Sequence, residues 1–236
     1  TGDLADGIYL SSEEDKQVGL GYIGLANLLA YHKISYSLFI RTLKGIVNNL
    51  YDYNSLDFYT CHQLPAYGVC SKVEKLCLDL VEGVLESARI AKSYGMVRAF
   101  AIAPTASISY KGKDVNGYTT TPEISPPISN FVERVSPLGS DVYQYPDDVE
   151  VASKVEFDAY FELADVFMSL HDYTGLNHSY SFNLWEDIDL DFIDKWLNSS
   201  IPNTYYRLNI ESDYLDKSGE NLVCSMDGHC TACDEG

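Results

Sequence analysis

The chain has 236 residues and a formal net charge of −19 at pH 7, with 46% hydrophobic and 22% charged residues. This composition is typical of a globular protein with one large domain or two small ones. The negative charge argues against nonspecific nucleic-acid binding, which depends on Lys and Arg contacts to phosphates. We find no apolar run long enough for a membrane span and no signal peptide over residues 1–6. Six unevenly placed cysteines then favour a cytoplasmic protein with reduced thiols.

The first regular segment spans residues 18–30 and contains glycines at positions 19, 21 and 24. This G-x-G-x-x-G pattern is a weak dinucleotide signal, because no acidic residue closes a second strand about 20 residues later. We interpret the segment as a short strand or turn that passes into a helix. The glycines would allow close backbone packing.

Apolar residues at three- and four-residue steps predict helices over residues 37–50 and 73–94. Cys77 lies on the apolar stripe of the second helix, so we expect it to pack in the core. Two further helices are predicted over residues 149–171 and 191–198.

Strands are predicted over residues 98–103, 178–184 and 204–210, from apolar or alternating patterns. Residues 51–70 and 111–134 are rich in Pro, Gly and polar side chains, which indicates loops. The alternation of helices and strands predicts an α/β architecture.

The strand at 98–103 is followed by the turn sequence P-T-A-S-I-S, which starts at Pro104. Proline ends the strand, and small hydroxyl residues follow where a helix or tight turn would begin. Unpaired backbone N–H groups at a helix start, together with hydroxyl donors, can bind an anion. The alternative is a Ser/Thr-capped turn without a ligand, and the residues alone leave it open.

The chain ends in an acidic, cysteine-rich segment, and we expect residues 211–236 to form a flexible tail. Cys230-x-x-Cys233 follows Cys224 by six residues. Zinc bound by Cys224, His229, Cys230 and Cys233 is one interpretation, but neighbouring side chains such as His229 and Cys230 rarely converge on one tetrahedral ion. Thiol–disulfide exchange by a mobile dithiol is the interpretation we prefer. An inert tail is the third.

Adjacent tyrosines, Tyr205 and Tyr206, fall within the predicted strand at 204–210. Aromatic residues favour strands, so core packing is the simplest interpretation. Beside a redox tail and an anion-binding turn, stacked phenols would also suit the relay of an electron and a proton.

Together, these blocks resemble the catalytic large subunit of class I ribonucleotide reductase. Residues 18–30 resemble its glycine-rich barrel strand and following helix, and residues 103–109 resemble its diphosphate-binding turn. Residues 176–183, followed by 204–206, resemble the late barrel strands that end in the radical-relay tyrosine pair. The C-terminal C-x-x-C resembles the shuttle that reduces the active-site disulfide. Order and rough spacing match along nearly the whole chain.

The resemblance implies a function for the turn. Five residues would bind the substrate diphosphate, largely through backbone N–H groups: Pro104, Thr105, Ala106, Ser107 and Ile108. The implied reaction replaces the ribose 2′-OH of a ribonucleoside diphosphate by hydrogen, for deoxyribonucleotide biosynthesis and DNA replication.

The resemblance also implies roles for the tyrosines and the tail. Tyr205 and Tyr206 would pass a radical from a metal-bearing small subunit to an active-site cysteine, which favours class I over the cobalamin-dependent class. Cys230 and Cys233 would exchange with the active-site disulfide and then with thioredoxin or glutaredoxin. This chain itself would bind no metal or cofactor directly.

One departure from the family is large. In the family, the thiyl-radical cysteine, the catalytic Asn and Glu and the active-site disulfide cysteines precede the glycine-rich block, whereas only 17 residues precede it here and none is a cysteine. We therefore expect the C-terminal half of the large subunit, inactive alone and paired with an N-terminal half, as a split protein or an excised fragment. Residues 1–210 would form the second half of a ten-stranded α/β barrel.

Two other functions stay open. One is a non-catalytic zinc-binding or assembly module with a cysteine-rich tail. The other is a phosphoesterase or transferase that uses the turn at 105–109, although the sequence shows no evident general base or metal-binding carboxylates nearby.

Overall fold

The structure, a computed structural model, describes residues 16–53, 71–136, 139–185, 188–207 and 223–225. Within these ranges, no helix combines the length and apolarity needed to cross a bilayer.

The elements follow one another in this order: β1 (Gln17–Leu20), α1 (Leu25–His32), α2 (Tyr36–Tyr53), α3 (Lys72–Ser93), β2 (Arg98–Ile102), α4 (Ala106–Ser109), β3 (Phe131–Ser136), β4 (Gly139–Gln144), α5 (Phe157–Tyr173), β5 (Asn177–Leu184), α6 (Leu190–Leu197), β6 (Asn203–Arg207) and β7 (Val223–Ser225).

Among the described residues, a four-stranded parallel sheet organises the fold, with strand order β1-β2-β5-β6. Arg98 of β2 lies opposite Gln17 on one side and Asn177 on the other, and Phe182 of β5 lies opposite Thr204 of β6. Parallel neighbours need long crossover connections, and helices lie within each of the three connections here. This arrangement confirms the predicted α/β architecture.

Two glycines of the G-x-G-x-x-G pattern allow β1 to approach β2 closely. A Cβ atom on Gly21 would overlap the carbonyl oxygen of Ala101, and one on Gly19 would lie 2.9 Å from the Ala101 Cβ. Gly24 has φ +75° at the start of α1, and its N–H donates to the carbonyl of Thr121 at 2.7 Å. The interpretation of these glycines as packing residues is confirmed.

Helix α3 shows why the sequence pattern was informative. Ser71 and Glu74 form a capping box at its start, and Gly95, with φ +74°, follows its end. Cys77 is fully buried on its inner face, and burial raises the pKa of this thiol to about 12. The prediction that Cys77 is a core residue is confirmed, and its thiol is protonated at neutral pH.

A histidine lies in the core between α5 and the sheet. His171 is fully buried, its Nε2 lies 2.9 Å from the Tyr22 hydroxyl, and its ring stacks on Phe100 with centroids 4.4 Å apart. Burial, with a smaller contribution from nearby His178, lowers the pKa of His171 to about 3. The imidazole is therefore neutral throughout the physiological range.

Two predictions about the elements are wrong. The loop predicted over 111–134 ends at Phe131, where the β3–β4 hairpin begins. The helix predicted over 149–171 begins only at Phe157. Residues 149–155 include four buried apolar side chains, but hydrogen-bonded turns such as that between Val151 and Lys154 hold them against the core.

Strand β3 joins three segments into a second sheet. It pairs antiparallel with β4 and parallel with β7, in which Cys224 lies opposite Arg134. Strand β7 is the described part of the predicted tail. The remainder of residues 211–236, which includes Cys230 and Cys233, lies outside the described residues.

Candidate functional site

The predicted anion-binding turn lies at the carboxyl end of β2. Thr105 is the N-cap of α4, and the Ser109 N–H donates to the Thr105 carbonyl at 2.9 Å. The first N–H groups of a helix have no intrahelical acceptor, and Ser107 and Ile108 are exposed. The Ala106 N–H already donates to the Pro104 carbonyl, and Ser107 and Ile108 face solvent beyond it. Ligands of parallel α/β sheets bind at this edge.

The loop that follows α4 makes two hydrogen bonds to the turn. The Glu123 N–H donates to Thr105 Oγ1 at 3.0 Å, and the Thr120 hydroxyl donates to the Ser109 carbonyl at 2.6 Å. Glu123 has φ +50°, a left-handed conformation that non-glycine residues adopt uncommonly. The Thr105 hydroxyl is thus held by the N–H of Glu123, a residue in the left-handed conformation.

Glu123 is only 3% exposed, and its carboxyl lies next to Asn183 of β5. Asn183, the penultimate residue of β5, donates from Nδ2 to Glu123 Oε1 at 3.4 Å. Glu123 Oε2 and Asn183 Oδ1 have no hydrogen-bond partner within the described residues. Burial raises the pKa of Glu123 to about 8, although the Asn183 hydrogen bond opposes this shift. The carboxyl is therefore predominantly protonated at pH 7.

Buried phenols surround this pair and add no charge. The hydroxyls of Tyr160 and Tyr180 are 2.6 Å apart, and the Tyr36 hydroxyl donates to the Ile124 carbonyl at 3.3 Å. Burial raises the pKa of all three phenols above its usual value. These three phenols therefore stay neutral at neutral pH.

Asn27 of α1 fixes the other end of the same loop. Its Nδ2 donates to Asp114 Oδ2 and to the Thr119 carbonyl, each at 2.9 Å, and its Oδ1 accepts from the Thr121 N–H at 2.8 Å. The side chain is 4% exposed. Together with the Gly24 N–H, which donates to the Thr121 carbonyl, this amide positions residues 119–121 relative to α1.

A cavity of about 480 Å³ opens beside α1, and its walls are mainly apolar. Tyr22, Phe39 and Leu76 contribute to it, together with Lys113 and Asp114 from the loop. None of the five predicted diphosphate-binding residues lines it. The cavity and the turn are separate features of the described surface.

The predicted relay tyrosines lie in β6, at the carboxyl edge of the sheet. Phe182 pairs with Thr204 and Leu184 with Arg207, so the backbone of Tyr205 and Tyr206 lies between these levels. Ile102 at the end of β2 pairs with Tyr180, so the two tyrosines lie two to four residues further toward the carboxyl edge. The side chains of Tyr205 and Tyr206 are outside the description, and their relay role stays a prediction.

The cysteine predictions are likewise open. Only Cys224 of the predicted zinc set is described, and only through its backbone in β7. Within the described ranges, no cluster of three or more His, Cys, Asp or Glu side chains is arranged to hold a metal ion.

Sequence reasoning missed Glu123 and Asn183 as site residues. Glu123 stands among threonines and prolines in a segment interpreted as loop, and Asn183 stands in a correctly predicted strand. The only available signals were an acid within a hydroxyl-rich loop and an amide in an otherwise apolar strand end.

Comparison with protein-family models and with curated protein sequences gives no match for this chain.

Proposed function

We propose that this chain is the C-terminal half of a class I ribonucleotide reductase large subunit, acting on ribonucleoside diphosphates. It would supply the diphosphate site, the relay tyrosines and the dithiol tail. The radical cysteine would lie on a partner chain or in a further segment. One placement carries the proposal: the turn at residues 104–108 and the tyrosine pair of β6 lie at the same carboxyl edge of one parallel sheet.

The surroundings of the turn support anion binding in spite of the acidic composition. Backbone N–H groups and the hydroxyls of Thr105 and Ser107 are neutral donors, so they attract phosphate oxygens without lysine or arginine. Glu123, whose backbone N–H donates to Thr105 Oγ1, carries a carboxyl that is predominantly protonated at pH 7. The local potential is therefore less negative than the net charge of −19 suggests.

The edge of the sheet supports the incomplete barrel. Among the described strands, β1 is a terminal strand of the sheet, and its Val18 and Leu20 are 42% and 46% exposed. An exposed edge strand with apolar side chains is a template for pairing with another strand. We infer that an N-terminal half would pair along this edge and complete a ten-stranded barrel, which would place its radical cysteine beside the turn.

Strand spacing makes the tyrosine relay geometrically reasonable. One strand, β5, separates β2 from β6, so the turn and the tyrosine backbone are roughly 10 Å apart across the sheet. A radical that arrives at Tyr205 and Tyr206 from a small subunit would thus be close to the nucleotide bound at the turn. The dithiol of Cys230 and Cys233 would then reduce the disulfide left after each turnover and become a disulfide itself, and thioredoxin or glutaredoxin would reduce this Cys230–Cys233 disulfide in turn.

Reconstitution tests the proposal. The chain is mixed with an N-terminal half that carries the radical cysteine, a metal-bearing small subunit and thioredoxin with its reductase, and deoxynucleotide formation from the four ribonucleoside diphosphates is measured. We expect product only when every component is present, and loss of product in Tyr205→Phe and in Tyr206→Phe. Tyr94→Phe is the matched control, since Tyr94 is 65% exposed at the end of α3.

Different outcomes refute different parts. Full activity in both Tyr205→Phe and Tyr206→Phe would refute the relay. The Cys230→Ser variant should lose turnover with thioredoxin but keep it with a small dithiol that reaches the active site directly. Equal losses with both reductants would refute the shuttle role of the tail. Absence of product from the complete mixture would contradict the proposed function itself.

A further inference from the structure

We propose that Glu123 is a positioning residue whose protonated carboxyl, buried against Asn183, holds Thr105 in the turn, and whose ionisation releases Thr105. The consequence for diphosphate affinity rests on the proposed function, whereas the effect on Thr105 does not.

The coupling runs through the backbone of Glu123. One residue supplies both the N–H that binds Thr105 Oγ1 and the side chain that packs against Asn183. The left-handed backbone of Glu123, with φ +50°, persists only where the surroundings hold it, because non-glycine residues are strained there. Burial of the carboxyl between the loop and β5 is the contact that supplies this constraint. Movement of the side chain would therefore shift the N–H that fixes Thr105.

The site accepts a neutral carboxyl far better than a carboxylate. Asn183 provides one amide donor at 3.4 Å, and Glu123 Oε2 has no partner among the described residues. No ion pair within the described ranges includes Glu123. A carboxylate that is 3% exposed and without a cation pays a large desolvation cost. An ionised Glu123 would gain by turning toward water.

The other titratable groups near Glu123 keep their charge state over the relevant pH range. Tyr160 of α5 and Tyr180 of β5 interact with it electrostatically, and Tyr36 of α2 interacts with both phenols. Burial raises the pKa of each phenol, so all three stay neutral. Asn183 does not titrate. The ionisation is therefore assigned to Glu123, whose pKa burial raises to about 8.

The first measurement follows Thr105 without any ligand. Methyl-labelled threonine in the full chain is recorded by NMR from pH 6 to pH 10, and the Thr105 resonance is identified by its loss in Thr105→Ser. We expect this resonance to shift with an inflection near pH 8 in the wild type and to stay constant in Glu123→Gln, which mimics the neutral carboxyl. Glu156→Gln is the matched control, since Glu156 is exposed and makes no capping bond, and it should behave like the wild type.

The second measurement uses inorganic pyrophosphate as the probe. If only the protein with a neutral Glu123 holds the turn in its binding conformation, the affinity of the wild type falls about tenfold between pH 7 and pH 9, beyond any change in Glu123→Gln. The reason is that a group with a pKa of about 8 is mostly neutral at pH 7 and mostly ionised at pH 9. Comparison of the two proteins at each pH removes the contribution of pyrophosphate's own protonation.

The outcomes separate this inference from the proposed function. A Thr105 resonance that fails to inflect in the wild type, or inflects equally in Glu123→Gln, overturns the positioning role. A wild-type resonance that does not inflect overturns the role even if the variant is poorly folded. An inflection confined to proteins with Glu123 supports the positioning role. If pyrophosphate then fails to bind at any pH, the diphosphate site of the proposed function is contradicted while the positioning role stands.

Discussion

Replacement of His171 should change how the stability of this protein depends on pH. The imidazole is fully buried and its pKa falls to about 3 in the folded state, whereas an unfolded chain restores the ordinary value of about 6.5. The unfolded state therefore takes up a proton below pH 6.5 that the folded state refuses until about pH 3. The contribution of His171 to stability is thus fully present above pH 6.5 and is lost as the pH falls toward 3.

The size of the effect follows from proton linkage. Each pH unit between the two pKa values removes up to about 1.4 kcal/mol of unfolding free energy for one such group. Between pH 8 and pH 4.5 the loss is about 3 kcal/mol, a large share of the stability of a typical domain. Carboxylates also titrate near the lower pH, so the wild type alone does not isolate this histidine.

Urea unfolding followed by tryptophan fluorescence, at pH values from 4.5 to 8, measures the effect by difference. His171→Gln should be less stable than the wild type at pH 8, because it loses the stacking on Phe100. Its disadvantage should shrink by about 3 kcal/mol at pH 4.5. Tyr22→Phe is the control: it keeps the imidazole, loses one hydrogen bond worth about 1 kcal/mol, and should keep the wild-type pH slope. Parallel slopes for the wild type and His171→Gln would refute the reasoning.

Two further predictions concern the loop and the first strand, and both use urea unfolding at pH 7. Gly21→Ala forces a Cβ into the Ala101 carbonyl and should lower the free energy of unfolding by about 2–4 kcal/mol. Gly83→Ala has open space in α3 and should be neutral or stabilising by up to about 1 kcal/mol. Equal effects of the two substitutions would contradict the close packing of this segment on β2. Asn27→Ala removes three hydrogen bonds at a buried position and should cost about 2–3 kcal/mol. Asn49→Ala removes one exposed helix contact and should change stability by less than about 0.5 kcal/mol. If Asn27→Ala lost no more stability than Asn49→Ala, the hydrogen bonds of Asn27 would contribute little.

The sequence predicted those elements whose buried residues recur at one regular spacing. Helix α3 has a sustained apolar stripe and both end signals, and its predicted bounds differ from the observed ones by one residue at each end. Helix α6 likewise begins beside Asp189, whose side chain accepts from the Phe192 N–H at 2.7 Å. Neighbouring residues determine where such helices begin and end, so a local sequence pattern is enough to predict them.

The misses occurred where distant segments decide the structure. The β3–β4 hairpin contains charged residues such as Arg134 and Asp141 and has little apolar alternation. Residues 149–155 are apolar because they pack on the core as turns, and their spacing imitates a helix. The contact of Thr105, Glu123 and Asn183 joins three regions up to 78 residues apart, and no local pattern encodes it.

The order of strands across the main sheet equals their order along the chain. Each of these strands after β1 therefore pairs with the strand that precedes it in the sheet order. Among the described strands, β6 joins the sheet through β5 alone, so the backbone position of Tyr205 and Tyr206 depends on the β5–β6 pairing.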